Sequence, residues 1–529
     1  MTAGAEAAPS ARLADLPAYA LSPEQLSDLE LLLSGALAPV SGFMTDADVA
    51  AVRGSGRLAD GTPFPVTVCL DVLANAVPAQ LAIATTGQLL LADPEGTPVA
   101  VLHITERTPL HMSAPDGTGG PELVRLAGPV VASRQLEHGP FRRLMLTPAQ
   151  TRARLAEGPV LGYATRGPLG SRQIGQLRHL AGQLRAQILV LPLVGGQAEV
   201  VRSPQALIRT VLAAAPSLPA GSLVVPVPLS PRADLAGDPQ ARARELAIRA
   251  RIAAAYGATH LMADDSLPAD SPLAAAAPVP VVQSGDWAYD PRAEVWRPLA
   301  LIEAGTEMED LSADQLGDLL DAGSEIPSWF TPPAVARELR RVRPPRSERG
   351  IVLFLTGLSG SGKSTIARDL SDVLSERGDR RVSLLDGDQV RSLLSAGLSF
   401  SRADRDLNIA RIGFVAAEIA RHGGIAICAP IAPFAAARTR VRQLVSEVGD
   451  FFLIHVATPV EVCEARDRKG LYAQARAGII GQFTGVSDPY EEPADAELVL
   501  DTATMSRADC VAAVLRLLVA GGWIRDEAK

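Results

Sequence analysis

The feature that most constrains this chain is the stretch "IVLFLTGLSGSGKST", Ile351 to Thr365. Five apolar residues and a threonine run into a glycine-rich turn, and the turn runs into a helical start. Gly357, Gly362, Lys363 and Ser364 meet the pattern GxxxxGK[ST]. Glycines at such a turn let backbone N–H groups converge on phosphate oxygens, and the helix that follows adds the positive end of its dipole. The whole cradle, Gly357, Leu358, Ser359, Gly360, Ser361, Gly362, Lys363, Ser364 and Thr365, is therefore expected to bind a nucleotide triphosphate. Lys363 would reach the β- and γ-phosphates and Ser364 would ligate Mg²⁺. Such a loop needs a buried parallel strand beneath it, so at least this part of the chain is α/β.

At 529 residues the chain exceeds one core, and its composition shifts along its length. Short alternating runs such as "PFPVTVCLDV" between Gly, Pro and Asp turns make residues 1–155 mainly β. "LSPEQLSDLELLLSG" has helical spacing, with Ser22 as N-cap and Gly35 as terminator. In residues 156–329, "PVLGYAT", "AQILVLPLVG", "GSLVVPVPL" and "THLMADD" are short strands separated by Ala/Arg/Leu-rich helices, which implies parallel α/β layering. The proline-punctuated basic stretch 330–348 is expected to be a linker, and residues 349–529 form the second α/β unit.

A net charge of −9 argues against a broad nucleic-acid footprint. Cys69, Cys428, Cys463 and Cys510 lack CxxC spacing, so neither a zinc site nor a disulfide framework is expected. The N-terminus has no signal-peptide pattern, and no run approaches the ~18 apolar residues of a membrane helix. A cytoplasmic protein without membrane contact is expected.

After the phosphate-binding loop comes "VSLLDGDQVRSLL", which sets Asp386 and Asp388 at the carboxyl end of a strand, where open α/β sheets bind ligands. One of them could take a proton from an attacking hydroxyl while the other orients Mg²⁺ or its waters. "FSRADRDLNIARIG" brings Arg405, Asn408 and Arg411 close to one helical face.

These blocks, together with "CEARDRKGLYAQARAGIIGQFTGVSDPYEEP" and "ELVLDT", resemble adenylylsulfate (APS) kinase in order and spacing from Gly357 to Thr502. The resemblance implies transfer of the γ-phosphoryl of ATP to the 3′-hydroxyl of APS, with ATP and Mg²⁺ as cofactors. Asp388 matches the family's candidate base and Asp386 its partner near the metal. Arg391, Phe400, Arg405 and Asn408 match positions that grip APS, while Ile431, Lys469, Leu471 and Phe483 match others that enclose it. Arg466 joins the nucleotide-binding set, in a lid that runs to Gly478. The resemblance also implies a homodimer. Two departures stand out: Ala432 occupies the usual serine of "ISPY", and Arg468 the usual proline of "DPKGLY". Direct in-line transfer from ATP needs no hydroxyl at 432.

The first part resembles ATP sulfurylase (sulfate adenylyltransferase), which implies a β-rich, PUA-like domain followed by a Rossmann-like nucleotidyltransferase domain. The resemblance rests on "LSPEQLSDLELLLSGALAPVSGFM", "AAAYGATHLMADD" and "EIPSWFTPPAVARELRR". Its catalytic blocks are altered. Where the family reads close to QTRNPxHxxH, this chain has Ala164-Thr165-Arg166-Gly167-Pro168-Leu169-Gly170-Ser171-Arg172-Gln173, so both histidines are gone. Where it reads near GRDHAG, Ala263-Asp264-Asp265-Ser266-Leu267-Pro268 stands instead. One lost donor at a charged transition state costs about 3–4 kcal/mol, and several are missing together. His179 and His260 are the nearest substitutes; His179 lies nearly two helical turns past Gln173. The expectation is an APS kinase carrying a silent sulfurylase-like region. The alternatives are a bifunctional enzyme that makes APS and phosphorylates it, and an N-terminal module that senses nucleotides or docks a separate sulfurylase.

Overall fold

The computed structural model describes residues 13–76, 87–113, 119–134, 139–195, 203–264, 272–308, 310–399, 401–467, 470–480 and 483–526. The chain forms two compact units, one of residues 1–313 and 326–342, the other of 314–325 and 343–529.

The first unit opens with the helix Pro23–Leu33, whose Ser22 N-cap accepts from the Gln25 amide at 3.2 Å while the Gln25 side chain accepts from the Ser22 amide, a reciprocal cap. Gly35, at φ +75°, lies two residues past its end, as the spacing expects. A seven-stranded sheet follows, organised around the strand Gly119–Ala132, which pairs with Gly42–Phe43, Leu70–Leu73, Pro98–Ile104 and Glu106–Ser113. Its crossing at Gly128 requires glycine: φ is +144°, and a Cβ there would sit 2.0 Å from the His103 carbonyl oxygen.

The same unit holds a five-stranded parallel sheet in the order Leu223–Val224, Gln187–Pro192, Val160–Thr165, His260–Met262, Val281–Val282. In sequence rank this is 3-2-1-4-5, the doubly wound arrangement with its switch point beyond Thr165 and Met262. The run "GSLVVPVPL" yields only two strand residues because Pro226 and Pro228 remove ladder donors. Arginines tie the helices and loops around the two sheets together. Arg232 pairs with Asp28 at 2.9 Å, and Arg244, 5% exposed, donates to the carbonyls of Val52 and Pro65 at 3.0 and 2.9 Å.

The stretch expected to be a linker instead contains the helix Pro333–Val342. Its prolines mark a helix start, where a missing N–H costs nothing. Val335 and Leu339, four apart, bury an apolar edge, and Glu338 accepts from Arg209 at 3.0 Å.

In the second unit five parallel strands run in the order Val382–Asp386, Ile425–Ala429, Ile351–Thr356, Asp450–Val456, Leu498–Leu500. All six residues of the central strand Ile351–Thr356 are buried, as an uninterrupted apolar run on a doubly covered sheet should be. Helices Lys363–Arg377 and Arg507–Ala520 cover one face, and Arg402–Arg421 with Ala435–Ser446 the other. The upstream segment 314–325 is held to this unit by Asp321, which accepts from Arg343 at 2.7 Å and Arg349 at 2.6 Å and pairs with Arg346 at 3.2 Å. No described helix is long and apolar enough to cross a membrane, and none of the four cysteines is paired.

Candidate active site

The central strand of the second unit delivers the chain into the phosphate-binding loop. At Gly357 φ is +149° and a Cβ would lie 2.5 Å from the Val456 carbonyl oxygen; at Gly360 φ is +78° and a Cβ would lie 2.9 Å from that of Cys463. Side chains at these two positions would push the loop off its neighbours. The helix Lys363–Arg377 begins at Gly362, which offers no side-chain cap, so its first turn faces the loop with the positive end of the helix. Lys363 is 6% exposed, and its Nζ donates to the Leu358 carbonyl at 2.7 Å, turned back along the loop it would bridge to a phosphate.

The Ser364 hydroxyl donates to Asp386 Oδ1 at 3.0 Å, and Arg368 donates to the other carboxylate oxygen at 3.1 Å. A loop hydroxyl and a strand-end carboxylate are thus side by side, an oxygen pair suited to a hard divalent cation that takes its remaining ligands from water and phosphate. Asp388 and Arg391 lie on the next helix, Gly387–Leu393, with side chains outside the described residues; Phe400 and Lys469 lie outside them altogether.

The helix Arg402–Arg421 carries Arg405 and Asn408. Arg405 pairs with Asp488, donates to Thr484 Oγ1 at 3.1 Å and rests over the Phe434 ring at 5.3 Å. Asn408 is 9% exposed, and its Oδ1 has no partner among the described residues, an acceptor held ready inside the unit. Arg411, three residues on along the same helix, donates to the Leu394 carbonyl at 2.7 Å. The Ile431 carbonyl accepts from Thr356 Oγ1 at 2.6 Å, which ties that turn to the start of the phosphate-binding loop.

Leu471 and Phe483 come together in a small apolar cluster with Cys463, Tyr472, Ala475 and Leu358. Tyr472 stacks edge-on against Phe483 at 5.0 Å and donates its hydroxyl to the Ser359 carbonyl at 2.9 Å. Burial pushes the Cys463 thiol up, away from thiolate chemistry. Arg466 donates to Thr502 at 2.8 Å through both its hydroxyl and its carbonyl, and Thr502 and Thr458 both donate to the Ser361 carbonyl. Tyr472, Asp488 and Thr502 are functional residues that the sequence does not single out. Their partners are distant in the chain, so no local spacing marks them.

The switch point of the first unit opens a cavity of about 560 Å³ beyond Thr165 and Met262. Arg166, Arg232, Arg242 and Arg249 line it together with Glu245 and Asp264. Arg166 is already engaged, donating to the Leu229 carbonyl at 2.8 Å and pairing with Glu245 at 3.4 Å; Glu245 also holds Arg249 at 3.0 Å. At the N-terminus of the helix Ser171–Leu184, the Gly170 amide donates to Gln173 Oε1 at 3.2 Å and the Ser171 amide to the Phe330 carbonyl at 2.9 Å. An anion approaching this helix end would meet carbonyl oxygens. His179 packs edge-on against Trp287 at 5.5 Å, and His260 Nδ1 lies 2.9 Å from the Thr259 hydroxyl. Asp265 and residues 266–268 are outside the described residues.

Residues 349–501 match the adenylylsulphate kinase family and residues 2–113 the PUA-like domain. A sulfate adenylyltransferase of Chaetomium globosum is 37% identical over 96% of this chain and 94% of its own length, and one of Mycosarcoma maydis 36% identical over the same shares. The solved hexameric APS kinase from Thiobacillus denitrificans superposes with a TM-score of 0.77 at 33% identity, covering 97% of this chain and 95% of its own. The match therefore spans both units, and the chain belongs to the family of fused proteins that join a sulfate adenylyltransferase-like N-terminal part to a C-terminal adenylylsulfate kinase domain.

Proposed function

We propose that the protein is an adenylylsulfate kinase, which moves the γ-phosphoryl of ATP to the 3′-hydroxyl of adenylylsulfate. The observation that carries this reading is the Lys363–Ser364–Asp386 constellation at the carboxyl ends of the central strand and the edge strand Val382–Asp386, inside a domain matched along its length to that kinase family. The backbone of residues 357–365 cradles the phosphates. Lys363 leaves the Leu358 carbonyl and takes the β/γ oxygens, where its charge offsets what builds up as the bond breaks. Ser364 and Asp386 would hold Mg²⁺, which when bound neutralises phosphate charge. Asp388 takes the proton of the attacking 3′-hydroxyl. Arg391, Arg405 and Lys469 meet the dianionic substrate, Asn408 offers its open acceptor, and Phe400, Ile431, Leu471 and Phe483 enclose the nucleoside. Arg466 positions the loop on the ATP side through Thr502.

The test is production of 3′-phosphoadenylylsulfate from ATP and adenylylsulfate by the purified chain. No product at millimolar substrates sinks the reading.

The first unit is proposed to be silent in adenylyl transfer and to serve assembly or regulation. Gly170 and Gln173 stand at the lost histidines, and the helix end that would meet a phosphate is filled by protein acceptors. A second reading, a bifunctional enzyme, is favoured by the full-length identity to relatives named sulfate adenylyltransferase. Sulfate-dependent release of pyrophosphate from ATP decides between them. The Thiobacillus denitrificans relative is described as hexameric; the homodimer that the kinase resemblance implies is tested by the mass of the protein in solution.

A further inference from the structure

Ala432 adopts φ +46° while 1% exposed. A left-handed backbone is unfavourable for any residue with a Cβ, so something around the turn must hold it there. The neighbour that does so is Arg438, on the helix Ala435–Ser446 and 3% exposed. Its Nη1 donates to the Ala432 carbonyl at 2.8 Å and its Nη2 to the Glu491 carbonyl at 2.7 Å, and its guanidinium lies 5.9 Å from the Tyr490 ring centre. Glu491 answers from the other side: its amide donates to the Pro433 carbonyl at 2.9 Å, and its carboxylate accepts from the Ala435 amide at 2.7 Å.

The far end of the same turn is tied to the phosphate-binding loop. Thr356 Oγ1 donates to the Ile431 carbonyl at 2.6 Å and so accepts from the Tyr490 hydroxyl, 3.0 Å away. A buried cation that spends its donors on carbonyls of two separate segments is placed for geometry; an apolar side chain of similar length would fill the space.

We propose that Arg438 is a positioning residue for phosphoryl transfer: by gripping the Ala432 and Glu491 carbonyls it locks the turn Ile431–Pro433 in its left-handed shape, and through Ile431 and Thr356 it sets the adenylylsulfate wall in register with the phosphate-binding loop. This rests on the kinase reading above. The residue touches no substrate and acts through the turn.

The test compares the full chain with Arg438→Met, Arg438→Lys, Ala432→Gly and the double variant Arg438→Met/Ala432→Gly, measuring kcat and KM for both substrates together with thermal unfolding. Arg438→Met should lower kcat/KM for adenylylsulfate about tenfold, the size of one left-handed residue's strain. Arg438→Lys should fall between, since an ammonium cannot bridge both carbonyls in one plane. Adding Ala432→Gly to Arg438→Met should restore most of the loss, because glycine takes φ +46° without a clamp, whether or not the melting temperature recovers. If Arg438→Met does not fold, the glycine rescue is read in the Arg438→Lys background. An unimpaired Arg438→Met, or a loss that glycine leaves untouched, overturns the proposal. A wild-type chain that phosphorylates no adenylylsulfate overturns the kinase reading and this proposal with it, whereas an active wild type with no Arg438 effect overturns this proposal alone.

Discussion

Ser364 and Asp386 are 22 residues apart in the chain, yet the serine hydroxyl donates to the aspartate carboxylate across 3.0 Å. The contact joins the first turn of the helix after the phosphate-binding loop to the end of the strand Val382–Asp386. Lys363→Ala should cut kcat by about a hundred- to a thousandfold, the scale of one lost preorganised charge contact. Asp386→Asn should instead raise the Mg²⁺ concentration needed for half-maximal rate. Equal Mg²⁺ curves for wild type and Asp386→Asn would remove Asp386 from the metal site.

Arg405 pairs with Asp488. Arg405→Ala should raise KM for adenylylsulfate by about tenfold or more, as the loss of a charge-assisted hydrogen bond implies. Asp488→Asn should move KM the other way, because the guanidinium no longer has to leave an internal carboxylate. Steady-state kinetics at saturating ATP reads both, and a rise in KM for Asp488→Asn would show that the aspartate aims the arginine.

Putting histidines back at Gly170 and Gln173 should not restore adenylyl transfer. A Cβ at Gly170 would lie 3.2 Å from the Phe330 carbonyl oxygen, and that carbonyl still occupies the Ser171 amide. The double variant Gly170→His/Gln173→His should therefore release no pyrophosphate above background in a sulfate-dependent assay. Measurable turnover would mean that those two side chains alone silence the site.

Burial alone would raise the Asp321 carboxyl, but the hydrogen bonds from Arg343 and Arg349 outweigh it and hold the group well below the usual carboxylate range. A depressed folded value contributes stability that is present above the unfolded value and lost as pH falls through the folded one. Asp321→Asn should thus destabilise the second unit by about 2–4 kcal/mol near neutral pH, with the gap to wild type closing in acid. Chemical denaturation between pH 3 and pH 7, followed by Trp523 fluorescence in a chain with the other tryptophans replaced, measures it. A constant gap would assign the loss to packing.

Burial pushes the Glu30 carboxyl up to about 7, from an ordinary 4.5. A raised acid works against the folded state: between those two values the unfolded chain ionises while the folded one stays protonated, so stability falls as pH rises through the window. Glu30→Gln should be more stable than wild type at pH 8 by about 2–4 °C in melting temperature, with the advantage shrinking to nothing below pH 4.5. A melting difference that does not vary with pH would show that Glu30 does not titrate there.

How far the sequence could be read depended on whether partners were local. The loop Gly357–Thr365 was legible because its glycines, lysine and serine act as one contiguous element, and the apolar run before it permits only a buried strand. The parallel layering of both α/β parts was legible from short apolar runs of even length. Arg405 was recognisable as a residue of the site, but its partner Asp488 is 83 positions away and nothing in the spacing of either betrays the pair. Nothing in the sequence marks Arg438, because its bond to the Ala432 carbonyl depends on a left-handed alanine that no sequence pattern announces. The prolines at 332 and 333 read as punctuation between domains, whereas in three dimensions they begin a helix with a buried edge.

The chain does not pass from one unit to the other once. It leaves the first unit at Ala313, lends residues 314–325 to the second, returns for 326–342, and crosses again at Arg343. The two units are therefore stitched, with Asp321 as the knot on one side and the helix Pro333–Val342 as the thread on the other. A cut made after Val342 strands Asp321 with the discarded half, and one made before Asp314 drags part of that half along.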